Sequence, residues 1–130
     1  MQDFLFFASS VGPRLVPVTE VIEVIPFVKL QREPGNNDRF CGLLNYRGKV
    51  LPVFDFMACD TNPSRDIRRF LIVTHGEYGD ACLVAQEVNH LISVEDDKVF
   101  PVQASAEHHF MVAKCGDVII RIVSAGEFIQ

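Results

Sequence analysis

The sequence predicts an all-β fold, built as one small barrel or a pair of them, and three observations lead there. Apolar residues gather in short runs of strand length, rich in Val, Ile and Phe. Turn-forming residues punctuate those runs at regular intervals, and closing a sheet of many short strands removes its exposed edges. The chain is 48% hydrophobic and 22% charged over 130 residues, apolar enough for one self-folding domain with its own core. A two-sheet sandwich is the rival architecture.

In chain order, the first run covers 4–8. It follows the acidic Asp3 and has no positively charged region before it, unlike a secretory signal, so it reads as a strand of a soluble, unexported chain. Gly12-Pro13 turns the chain into a second run, 15–18. Residues 18–25 read differently. Val18, Val21, Ile22 and Ile25 recur at helical spacing, Glu20 and Glu23 fall towards the other side, and Pro26 ends the segment. A short amphipathic helix is predicted there, with Thr19 placed to cap it. A strand over 27–30 and the turn Pro34-Gly35-Asn36-Asn37 follow. The runs 40–44 and 50–54 flank Asn45-Tyr46-Arg47-Gly48 and read as a hairpin, with Gly48 free to take positive φ. Pro52 lacks an amide donor and belongs at a sheet edge or the end of a ladder. The polar stretch 60–66 marks a junction within the single domain 1–130, with about five candidate strands in each lobe. Beyond it lie the runs 70–73, 81–85, 91–94, 110–113 and 118–123, separated by Gly76 with Gly79 and by Cys115-Gly116-Asp117. Residues 124–129 read as a last helical turn, which Gly126 weakens.

Several function classes are excluded by the same residues. Net charge is −5 and the longest basic clusters are Arg65 and Arg68-Arg69, so the footprint of a nucleic-acid binder is missing. No apolar stretch approaches the ~20 residues a spanning helix requires, so no direct membrane insertion is expected. Cys41, Cys59, Cys82 and Cys115 are irregularly spaced, unlike zinc or redox motifs, and read as four buried, reduced thiols in a reducing cytosol; their even number also allows two disulfides. Ser9-Ser10, Ser105 and Ser124 show no nucleophile elbow, and no glycine-rich phosphate loop occurs. His108 and His109 are adjacent and would point to opposite faces of a strand, so neither they nor His75 and His90 predict a metal, and no cofactor is expected. The reading from another class is a small β-barrel metal- or ligand-binding enzyme using His108, His109 and Cys115. The acidic run Glu95-Asp96-Asp97 reads as a solvated loop that could meet basic residues of a partner.

One segment is more specific than the rest. Gly42-Leu43-Leu44-Asn45-Tyr46-Arg47-Gly48-Lys49-Val50-Leu51-Pro52-Val53-Phe54-Asp55, with Pro34 upstream, resembles the CheW-like family pattern of proline, spacer, then Gly, two apolar residues, Asn-x-Arg-Gly-x, two apolar residues, Pro, apolar, x and Asp. Pro34, Gly42, Asn45, Arg47, Gly48, Pro52 and Asp55 stand at the matching positions, and Glu23 stands where the family has an acidic residue on the preceding helix. The second half matches less closely: Gln86 replaces a usual aspartate, Val123-Ser124 stands for a Leu-Asp ending, and the glycine before the last hairpin is absent around Met111-Val112.

The resemblance implies two small five-stranded, SH3-like β-barrels packed on a shared core, with one or two short helices and no catalytic centre. It also implies a cytoplasmic adaptor that binds a CheA-type histidine kinase and the cytoplasmic tip of a methyl-accepting receptor, in chemotaxis or in a pilus-motility or other chemosensory-like pathway. Arg47, paired with Glu23, is the expected partner-binding residue, since a guanidinium at a hairpin tip can hold a carboxylate and still offer donors. Val21 and Val24 are expected as apolar contacts beside it. Asn45 and Gly48 are expected to support the turn, and Asp55 to cap a short helical turn over 56–59.

Overall fold

The computed structural model describes residues 1–31, 38–57 and 68–129, almost all of them in strands and turns. Eleven strands are described: β1 (Gln2–Ser9), β2 (Gly12–Pro17), β3 (Val21–Pro26), β4 (Phe40–Tyr46), β5 (Lys49–Phe54), β6 (Phe70–Gly76), β7 (Gly79–Ala85), β8 (Glu87–Val94), β9 (Val99–Gln103), β10 (His109–Cys115) and β11 (Val118–Ile122). A four-residue helix, α1 (Gly126–Ile129), follows them and matches the expected last helical turn.

The strands form two SH3-like β units, one with sheet order β8-β1-β2-β11-β10-β9 and one with order β3-β6-β7-β5-β4. The expectation of five strands in each is corrected to six and five. The overlooked strand is β9, whose Pro101 argues against a central strand; it lies at the end of its sheet, where proline is tolerated. Pro52 also obeys the missing-donor rule. It pairs with Leu43 of β4, and the parallel β5–β7 ladder starts only at Val53.

The predicted helix over 18–25 is not formed. Val18–Glu20 makes one 3-10 turn, preceded by Pro17 and without a side-chain cap, and the chain then enters β3. Four of the first five β3 residues are Val or Ile, which favour strands, and β6 supplies an antiparallel ladder that pairs all of them but Ile22. A bulge at Ile22 breaks the strict alternation, which is why the segment imitates helical spacing. The run 27–30 is not a strand either. Phe27 donates its amide to the Arg69 carbonyl, and Phe27 and Leu30 turn inwards as the chain crosses to β4.

Three apolar clusters explain why β6 and β7 read as unbroken hydrophobic runs. Leu71, Val73, Cys82 and Val84 fill the five-stranded unit with Leu44, Leu51 and Val53. Their alternate neighbours Ile72, Ala81, Leu83 and Ala85 face a shared core with Leu5, Phe7, Val16, Phe54, Phe56 and Phe128. Phe4, Leu15, Ala113, Ile120 and Ile122 fill the six-stranded unit. The junction at 60–66 lies outside the described residues, and β5 before it and β6 after it share one sheet.

The thiols depart from the expectation of four buried, reduced cysteines, because Cys41 and Cys115 are only half-buried. Cys82 and Cys115 are free, but Cys41 is disulfide-bonded. Spacing along a chain does not report distance in space, so the irregular pattern could not show this.

Candidate functional site

The β4–β5 hairpin projects from the five-stranded unit, and its entry depends on Gly42. This residue has φ +143°, and a β-carbon there would stand 2.5 Å from the carbonyl oxygen of Gln31, which bridges to β4 at Leu43. Only glycine accepts both the conformation and the approach. At the far end Tyr46 pairs with Lys49, leaving Arg47 and Gly48 as a two-residue turn with φ of +50° and +85°. Positive φ at both central positions matches the right-handed twist of the strands. The Asn45 side-chain oxygen accepts the Gly48 amide at 3.1 Å, tying the turn from within.

Arg47 is displayed at this tip with its side chain 73% exposed, and its Nη2 donates to Glu23 Oε1 at 3.0 Å. The Tyr46 hydroxyl donates a short hydrogen bond to the same carboxylate oxygen, and the Arg47 guanidinium lies 5.3 Å over the Tyr46 ring. The bond to Glu23 raises the Tyr46 phenol above its ordinary pKa, with desolvation adding to it. One nitrogen of Arg47 is thus engaged while its remaining donors face solvent. β3 and β4 are the two end strands of their sheet, so Glu23 also spans the seam between them.

A second charged cluster braces the hairpin next to its tip. Lys49 Nζ lies 3.2 Å from Asp80 Oδ2, and His75 Nδ1 lies 2.6 Å from Asp80 Oδ1, linking β5 to the β6–β7 hairpin. The hydrogen bond from His75, with help from Lys49, lowers the Asp80 pKa against an opposing desolvation.

Val21 and Val24 are half-buried and pack against the shared core, because the bulge between them returns both to one face. The exposed apolar side chains near Glu23 and Arg47 are instead Ile22 on β3 and Val50 on β5. Asp55 is fully buried and caps no described helix. Phe56 and Met57 form a bend, and 58–59 lie outside the described residues. Its Oδ1 accepts the Phe56 amide at 2.7 Å and the Ser10 hydroxyl at 3.0 Å, and its Oδ2 pairs with Arg68 Nε at 2.9 Å. Asp55 therefore ties the end of β5 to the β1–β2 turn across the two units.

Tyr46 was legible in principle, since period-two alternation from Leu44 puts it on the inward face beside Glu23. Arg68, Ser10, Lys49 and Asp80 carried no local signal. His108 packs against Phe110 with the rings tilted by 60°, His109 is exposed at the start of β10, and Cys115 ends that strand. Among the described residues no group of three or more His, Cys, Asp or Glu side chains is placed to hold a metal ion. No helix among them is long and apolar enough to cross a membrane.

Comparison with known proteins gives two positive findings. The sequence matches the CheW-like domain over residues 4–129. The crystal structure of the scaffolding protein TtCheW from Thermoanaerobacter tengcongensis superposes with a TM-score of 0.75 at 20% identity, covering 95% of this chain and 84% of that one. No curated protein matches the sequence.

Proposed function

The chain belongs to the CheW-like domain family, and from that membership we propose that it is a non-catalytic, cytoplasmic adaptor coupling a methyl-accepting chemoreceptor to a CheA-type histidine kinase. The observation that carries the reading is the exposed Arg47, pinned at a hairpin tip by Glu23 and Tyr46 with donors to spare. A cation held in one place loses little freedom on docking, which preserves more of its interaction with a partner's carboxylate. One residue is not an interface, because a stable one buries roughly 1,200–2,000 Å² in total. Ile22, Val50 and the outer edges of Val21 and Val24 supply apolar surface beside the charge.

The test is calorimetric titration of the chain with the regulatory domain of a CheA-type kinase from the same organism. Saturable binding is expected, weakened at least tenfold by Arg47→Ala and less by Glu23→Ala, which frees the arginine without deleting it. Full-strength binding by both variants, with their fold intact, removes the assignment.

A further inference from the structure

Arg14 of β2 and Arg121 of β11 are direct register partners where these strands run parallel. Like charges on neighbouring positions of paired strands repel, and this pairing occurs in a chain whose net charge is −5. Beside them lies a cavity of about 160 Å³, lined by Arg14, Arg39, Arg121 and Glu127 with Phe56 and Phe128 as apolar walls. Arg121 is held by its stacking 4.4 Å over the Phe110 ring and by Glu127 Oε2 at 3.5 Å, yet its buried Nε has no hydrogen-bond partner among the described residues. Burial, and then the charges of Arg121 and Arg39, lower the Arg14 pKa, while desolvation raises that of Glu127 and weakens it as a counter-charge.

We propose that this cavity binds a single phosphate group. Guanidinium groups reach it from β2, from β11 and from the turn before β4, and a tetrahedral anion offers oxygens in three directions where a planar carboxylate offers one edge. The volume is below the roughly 300–1,000 Å³ of pockets for drug-sized ligands, so it suits one small group rather than a nucleotide. Arg14 and Arg121 belong to the six-stranded unit, while the Arg39 carbonyl accepts the Asp55 amide at the end of β5. The anion therefore touches both units and sits apart from the Arg47 cluster, which lines none of this cavity.

The test is calorimetry on the full chain with inorganic phosphate and with glycerol 3-phosphate at constant ionic strength, with acetate as the anion control. At least one phosphate compound should bind one-to-one, at least tenfold tighter than acetate. Arg14→Gln and Arg121→Gln should each weaken that binding at least tenfold, and Lys114→Gln, on an exposed strand position, should leave it unchanged. Tighter binding of the inorganic ion assigns free phosphate as the source; tighter binding of glycerol 3-phosphate assigns a phosphomonoester. Because Arg121→Gln also loses the Phe110 stacking, the Arg121 Nε–Hε resonance of the unaltered protein gives a second readout and should shift on phosphate addition. Absence of saturable binding, equal affinity for acetate, equal loss in Lys114→Gln or an unmoved Nε–Hε resonance overturns the proposal.

Discussion

Arg47 occupies the left-handed region, which side-chain-bearing residues seldom adopt, because the tight turn demands it there. Replacing it with glycine relaxes the backbone while deleting the charge, so conformation and contact can be separated. Its ion pair with Glu23 is exposed, so Arg47→Gly is expected to change stability by less than about 1 kcal/mol in urea denaturation while weakening kinase binding. Asp55 behaves in the opposite way. It is 1% exposed and its partner Arg68 12% exposed, so Asp55→Ala strands a buried guanidinium and is expected to cost about 3–5 kcal/mol in the same assay. Burial pushes the Cys82 thiol up to about 12, whereas Cys115 is only half-buried. Alkylation of the native protein at pH 8, read by mass spectrometry, should therefore mark Cys115 and reach Cys82 only after unfolding. At this scale the sequence was informative for Arg47, Glu23, Asn45 and Gly48, which lie in or match one local pattern. It was silent on Arg68, which meets Asp55 only through the fold.

The β4–β5 hairpin was readable as an element because its information is local: two apolar runs, a turn pair and a glycine. Gly42→Ala tests the close crossing at its entry. A positive φ that alanine tolerates poorly costs about 1–3 kcal/mol, and the clash with the Gln31 carbonyl adds to it, so the urea midpoint should fall clearly. The tip end of the hairpin, where Lys49 meets Asp80, should respond to acid. With its folded pKa depressed, Asp80 contributes stability that is complete above the ordinary aspartate value and lost as pH falls through the folded one. Asp80→Asn should therefore lack part of the wild-type acid-side fall in urea midpoint. Elements shaped by distant partners were harder to read. β3 looked helical because a bulge disrupted its alternation, and its true state depended on the ladder offered by β6, nearly fifty residues on. β9 was hidden by a proline that only its edge position permits.

Across the whole molecule, the all-β character and the paired units were legible, but the weave was not. β6 and β7 return to the sheet of β3–β5, and β8–β11 return to β1 and β2, with one parallel pairing in each sheet. Those long-range pairings bury both faces of β1, β6 and β7, so the shared core couples the two units rather than separating them. Such a body suits an adaptor, because surfaces on a stiff frame keep their separation when both are occupied. The most direct test is kinase autophosphorylation reconstituted from a receptor signalling fragment, a CheA-type kinase and this chain, all from one organism. Receptor control of phosphorylation is expected to appear only when the chain is present and to weaken with Arg47→Ala; control that is equally strong without the chain contradicts the adaptor role.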